Sequence, residues 1–416
     1  MRKETRSGFV LCWCVPFISS RTVALSTNTA ETSRPEPRNP SVAEWKAIVA
    51  EYQKPSVWRA TWQLVDTLCP YAALWYLMYR CLDVSWWLVI PLAVLAGVLL
   101  ARVFIIFHDC GHGSFFKSRR ANDITGFVTG LLTFTPYYHW RWEHALHHAN
   151  TGDLDRRGVG DLWTMTVQEY LESSRWRRFA YKLARNPFVL FVLAPFYVFI
   201  FHQRLPKGQA DARERRSVWI MNFAILGMVL TLGWIFGPLR YLIIQSIIIG
   251  VVGAAGLWMF YIQHQFEDTY WEHHEDWDFT AAALQGASFY KLPRVLQWFT
   301  GNIGYHHVHH LSARIPNYNL ERCHNSHPVF QQVKPITIRI SLKSLAYRLW
   351  DTQLRKLVGY RRMREVRREQ ARETEERSEE TGHGGGTDPK TPPPQEAQPR
   401  PEGRSKLSAG TRVKRA

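Results

Sequence analysis

A chain of 416 residues can hold one large domain or about two to three ordinary ones, so length does not decide the architecture. The formal charge of +17, from 52 Lys and Arg against 35 Asp and Glu, comes with no basic helix or aromatic-basic module of the nucleic-acid-binding kinds, which excludes a nucleic-acid partner. Six scattered cysteines without Cys-x-x-Cys pairs exclude a zinc ribbon and a disulfide framework and fit a reducing cytosolic face.

Residues 1–51 are basic at the start, briefly apolar at Phe9–Ile18, then rich in Ser, Thr, Pro and Arg. They are expected to be leader-like or disordered. The mean hydropathy of -0.24 looks soluble only because both ends are polar. Between them lie runs long enough for a bilayer, which needs about 20 apolar residues. Trp86–Phe107 and Leu239–Ile262 are the strong ones. Trp62–Tyr79, despite Asp66 and Pro70, and Trp219–Phe236 each precede a strong run and pair with it across a short turn, at Arg80–Ser85 and Gly237–Pro238. Ile124–Tyr138 and Pro187–Phe201, interrupted by Gly126, Gly130, Pro136 and Pro195, suit interfacial or buried helices. Residues 361–416 are a charged tail, expected to be disordered after an initial helix.

The predicted fold is therefore an all-α integral membrane protein over residues 52–360, with four transmembrane helices in two hairpins and a cytosolic helical cap. The loop from His108 to Val218 is rich in Arg, among them Arg119, Arg156, Arg177 and Arg215, whereas the two turns are short. Positive charge disfavours translocation, so that loop and both termini are expected in the cytosol, where anionic headgroups also attract them.

Three groups among the 17 His have helical spacing. His108 and His112 are i and i+4; His144, His147 and His148 are i, i+3 and i+4; His306, His309 and His310 repeat that pattern. A helix from Trp86 to His112 is about 40 Å long against a hydrocarbon core of about 30 Å, so its last turns emerge on the cytosolic side. His264, just past the fourth run, reaches the same depth. Imidazole suits iron, zinc, copper and nickel alike, but eight or nine ligands overfill one tetrahedral zinc and match two metals. Within residues 52–360 only Glu321–His324 fits a Glu-x-x-His motif, which excludes a carboxylate-type diiron bundle. His139, His202, His273, His274, His324 and His327 stand outside the groups, and His307 leaves the register of the third group open because His307 and His310 are also i and i+3. Asp109, Asp153 and Asp161 are the carboxylates expected to orient ligand rings.

At these residues the chain resembles the membrane fatty acid desaturases, whose mark is three histidine boxes. They stand here as HDCGH at His108–His112, HALHH at His144–His148 and HHVHH at His306–His310. The resemblance covers roughly Tyr52–Gln332, and the flanks HDCGHGSFF, HHANTGD and HHLSARIPNYNL look like the omega-6 (Δ12) acyl-lipid desaturases of bacteria, cyanobacteria and plastids. It implies a diiron site in the cap, held by the box histidines and by a further His at the position of His264. It also implies molecular oxygen as co-substrate and an acyl-lipid substrate in the bilayer. Front-end desaturases carry Gln at the position of His306 and a fused cytochrome b5 domain with HPGG; this chain has neither, so an external ferredoxin or cytochrome b5-type donor is expected. A hydroxylase or acetylenase of the same family is the alternative. A His-rich metal transporter would line its spans with His, whereas these lie at or beyond the cytosolic ends.

Overall fold

The structure, a computed structural model, describes residues 42–158 and 160–383. The remainder of the expected leader-like segment and of the tail, residues 1–41 and 384–416, lies outside the described residues.

Helix α1 (Val42–Tyr52) buries Trp45 and Val49 in a cluster with Val308, Leu311 and Leu320, so the packed body begins ahead of the expected boundary at residue 52. Helix α2 (Val57–Cys81) is capped by the Ser56 side chain and buries Ala60, Gln63, Thr67, Tyr71, Leu74 and Met78, one stripe of helical period. Helix α3 (Trp86–His112) follows a four-residue turn, with Ser85 as its cap. Two further long helices, Ala212–Phe236 and Pro238–His264, meet at Gly237.

Among the described residues α3, Ala212–Phe236 and Pro238–His264 are long and apolar enough to cross a bilayer. The expected first span is a 25-residue helix, α2, which carries Arg59, Asp66 and Arg80 and does not fall in that set. The fourth candidate is instead Arg175–Ala184 followed by Val189–Arg204, bent by 61° between them, and the interfacial element expected at Pro187–Phe201 falls on its second half.

Asp66 has a tertiary reason. Arg102 of α3 is buried and lies 3.5 Å from Asp66, donates to Thr67 Oγ1 at 3.0 Å and covers the Trp298 ring at 4.2 Å. A charge inside an apolar helix is tolerated when a partner faces it. Helix α3 also packs closely on Pro238–His264: a Cβ added at Gly97 would sit 2.7 Å from Val251 Cβ and 3.0 Å from the Ile248 carbonyl.

At the opposite end from the histidines, Arg240 pairs with Asp83 at 3.1 Å, so both hairpin turns share that end. Helix α3 and Pro238–His264 are each 27 residues long and start there. They run parallel and finish at the same depth, one carrying His108 and His112, the other His264.

The remainder of the chain covers that end. Helices α4 (Arg119–Leu132) and α5 (Tyr137–Asn150), the short helix His306–Leu311 and two small sheets form the cap. The cap is thus mostly rather than wholly helical. Met165–Thr166 pairs in parallel with Leu349–Asp351, Met165 opposite Leu349, and that strand pairs antiparallel with Lys356–Val358. Phe289–Tyr290 pairs in parallel with Pro335–Ile336. Strands of two or three residues leave no alternation in the sequence, which hides them from pattern reading.

Candidate metal centre

All nine histidines singled out from sequence converge in the cap, in two groups whose facing ligand atoms lie within 4.8 Å of one another. His108, His112, His144, His148 and His309 form the first; His147, His264, His306 and His310 form the second. The box spacing explains the division. Residues i and i+4 sit one turn apart and face one centre, while the i+3 residue is rotated toward the other. Thus His144 and His148 of α5 join the first group and His147 the second, whereas His306 and His310 join the second and His309 the first. The groups are contiguous: the rings of His148 and His310 stack at 4.2 Å, and those of His306 and His309 at 5.3 Å.

Outer partners set the tautomers. His147 Nδ1 is 2.8 Å from Asp161 Oδ1, and His264 Nδ1 is 3.0 Å from the Gly286 carbonyl. Each Nδ1 therefore carries the proton and each Nε2 presents a lone pair. Yet these two Nε2 atoms are 3.2 Å apart, and His264 Nε2 is 3.0 Å from His306 Nε2. Two lone pairs cannot bond to each other; a cation between them satisfies both. Nitrogens held at about 2.1 Å from one ion and roughly at right angles are about 3.0 Å apart. The Nε2 atoms of His112 and His310 are also buried without a hydrogen-bond partner, a cost that coordination removes. Burial, reinforced by the neighbouring rings, holds His144, His148, His306, His309 and His310 well below the ordinary imidazole range, so they are neutral and able to ligate. The residues fit a pair of metal ions.

Two of the three expected orienting carboxylates touch ligand rings. Asp109 Oδ1 is 3.0 Å from His108 Nδ1 while its Oδ2 accepts from Asn317 N and Nδ2 at 2.6 and 2.8 Å; Asp161 holds His147. Asp153 does not: its carboxylate lies 2.8 Å from His274 Nδ1, outside both groups. His273 is exposed and pairs with Asp155. His307 turns away from both groups, its Nε2 3.0 Å from His324 Nδ1 and 3.1 Å from the Phe330 carbonyl, so within the third box His306, His309 and His310 face the centre. His139 lies 3.8 Å from Glu143, and His327 accepts from Val329 N.

Residues 85–337 match the fatty acid desaturase family. A fatty acid desaturase of Bacillus subtilis is 47% identical over 318 residues, covering 76% of this chain and 90% of that protein. The chain belongs to this family. More distant relatives from Synechocystis include an sn-1 oleoyl-lipid 12-desaturase, 28% identical over 62% of this chain and 71% of its own length. An sn-1 acyl-lipid omega-3 desaturase (ferredoxin) is 25% identical over 61% and 69%. The protein is a fatty acid desaturase, an oxidoreductase.

In this desaturase the metal groups share a wall with a cavity of about 400 Å3, within the range of small-ligand pockets. His108, His144, His147 and His306 face it. Its lining includes the polar side chains of Glu143, His202 and Lys207, with Lys207 Nζ 2.6 Å from Glu143, and the apolar residues Ala101, Val252, Gly253 and Gly256. Glu143, Lys207 and the Gly286 carbonyl escaped the sequence reading. The signal for Glu143 is its place directly before the second box; a backbone carbonyl leaves no sequence signal.

Proposed function

We propose that this chain is an oxygen-dependent acyl-lipid desaturase of the omega-6 (Δ12) type, with two iron ions held by the nine histidines. The carrying observation is the convergence of neutral Nε2 lone pairs in two contiguous groups along one wall of an apolar cavity. His108, His112, His144, His148 and His309 would hold one iron, and His147, His264, His306 and His310 the other. When bound, the irons supply the oxidising power: two hydrogens leave adjacent methylenes as a cis double bond forms, and oxygen is reduced to water with two further electrons from an external donor. The cavity binds the acyl chain and excludes water; Asp109, Asp161 and the Gly286 carbonyl orient ligand rings; the polar side chains around Lys207 suit the ester and headgroup end. Regioselectivity on this account is a matter of positioning. The 12-desaturase relative supports the lipid substrate and double-bond position, and the relative named for ferredoxin supports a donor of that class.

In this proposal α2, α3, Ala212–Phe236 and Pro238–His264 are four spans in two hairpins, with both termini and the metal centre cytosolic. The Arg-rich central loop and the shared end of the two turns support it. Cysteines placed at Gly208 and Asp83 should label from opposite faces; labelling from one face would overturn it.

The deciding experiment is expression in a host with only saturated and monounsaturated chains, followed by gas chromatography of its lipids. A new diene is expected. A hydroxy or acetylenic acid would assign the alternative chemistry, and unchanged lipids with intact iron would refute the proposal.

A further inference from the structure

Gly256 lies eight residues before His264, about 12 Å along the helix axis. It sits three residues beyond Gly253, four beyond Val252 and seven before Gln263, all buried, and so belongs to the inward face of its helix. Nevertheless it is exposed, and a Cβ added there would meet nothing within 4 Å. Since Gly256 lines the cavity about 12 Å along the helix from His264, the space it faces lies away from Lys207, whose partner Glu143 directly precedes the site histidine His144. Gly253 differs: a Cβ there would lie 2.5 Å from Pro195 and 3.1 Å from Phe199, so it is a packing glycine.

We infer that Gly256 keeps the far end of the acyl cavity open, so that the enzyme accepts chains of differing length beyond the metals, and that a side chain here converts the open end into a stop. This rests on the cavity being the acyl site. With the ester end at Lys207 and the metals between, the methyl end points to Gly256. An unmeasured methyl end leaves the double bond to be positioned from the ester side, as a Δ12 position that coincides with omega-6 at a single chain length. A wall changes that, because one methylene too many against packed apolar atoms discriminates by about tenfold or more.

The test uses the full chain expressed in a host fed fatty acids of increasing even chain length, with products read by gas chromatography and iron measured on the purified protein. Gly256→Leu should lower the ratio of longest- to shortest-chain conversion at least about tenfold while keeping its iron. Gly256→Ala, which places one carbon in open space and favours the helix, should shift the ratio in the same direction and carries the test should the leucine variant lose its iron. Met259→Trp, which narrows the cavity between Gly256 and the metals, should depress every chain length alike. An unchanged ratio in both Gly256 variants with Met259→Trp impaired overturns the role of Gly256 and keeps the acyl site. Wild-type conversion in all three variants overturns both.

Discussion

On the proposed two-iron assignment, Asp161→Ala should weaken one iron and spare the other. Asp161 holds His147 Nδ1 at 2.8 Å, and both side chains are nearly inaccessible, at 8% and 1%. Without the carboxylate, His147 keeps only a 3.5 Å contact from Thr151 Oγ1, its ring is freer to turn, and its Nε2 is a poorer donor. Loss of such a partner costs about 10- to 100-fold in metal affinity, equivalent to about 1.4 to 2.7 kcal/mol. The loss belongs to the group of His147, His264, His306 and His310; the other group retains Asp109 on His108. A chelator titration of purified protein, with iron counted by mass spectrometry, should therefore show one iron leaving at about 10- to 100-fold lower chelator and the second at the wild-type concentration. Asp153→Ala is the control, because that carboxylate pairs with His274. Wild-type retention of both irons in Asp161→Ala, or a simultaneous loss of both, would refute the assignment of two separate groups.

Replacing His264 by Ala should abolish desaturation and lower bound iron without loss of membrane insertion, while His273→Ala should keep most activity; normal iron in the His264 variant would remove it from the site. Asp66→Asn leaves the Arg102 charge without its partner and should cost about 3 kcal/mol, most of it recovered in the double variant with Arg102→Met; simply additive losses in thermal unfolding would disprove the coupling. His324, which burial pushes down to about 4 from an ordinary 6.5, is neutral in the fold and takes up a proton more readily when unfolded. Its contribution is full above pH 6.5 and is lost as pH falls toward 4, so His324→Asn should flatten the decline in melting temperature across that window, and an unchanged slope would show that the group does not matter.

Much of this protein was legible in its sequence because helical periodicity is a local property. The i, i+3, i+4 spacing of the boxes declares histidines on common helix faces, and apolar runs of sufficient length place His108, His112 and His264 at helix ends of equal depth. What remained hidden depends on relations between helices. Asp153 and Asp161 lie in one polar loop and are equivalent as a string; only chain folding puts one on His147 and the other on His274. His307 and His306 are neighbours that each stand three residues before another His, and the rotation of a six-residue helix separates a ligand position from a partner of His324. Asp66 looked like a flaw in a span until Arg102 faced it. Gly256, Gly253 and Gly97 are identical letters, yet one faces open cavity, one Pro195 and one Val251, because a residue without a side chain takes its meaning entirely from what approaches it.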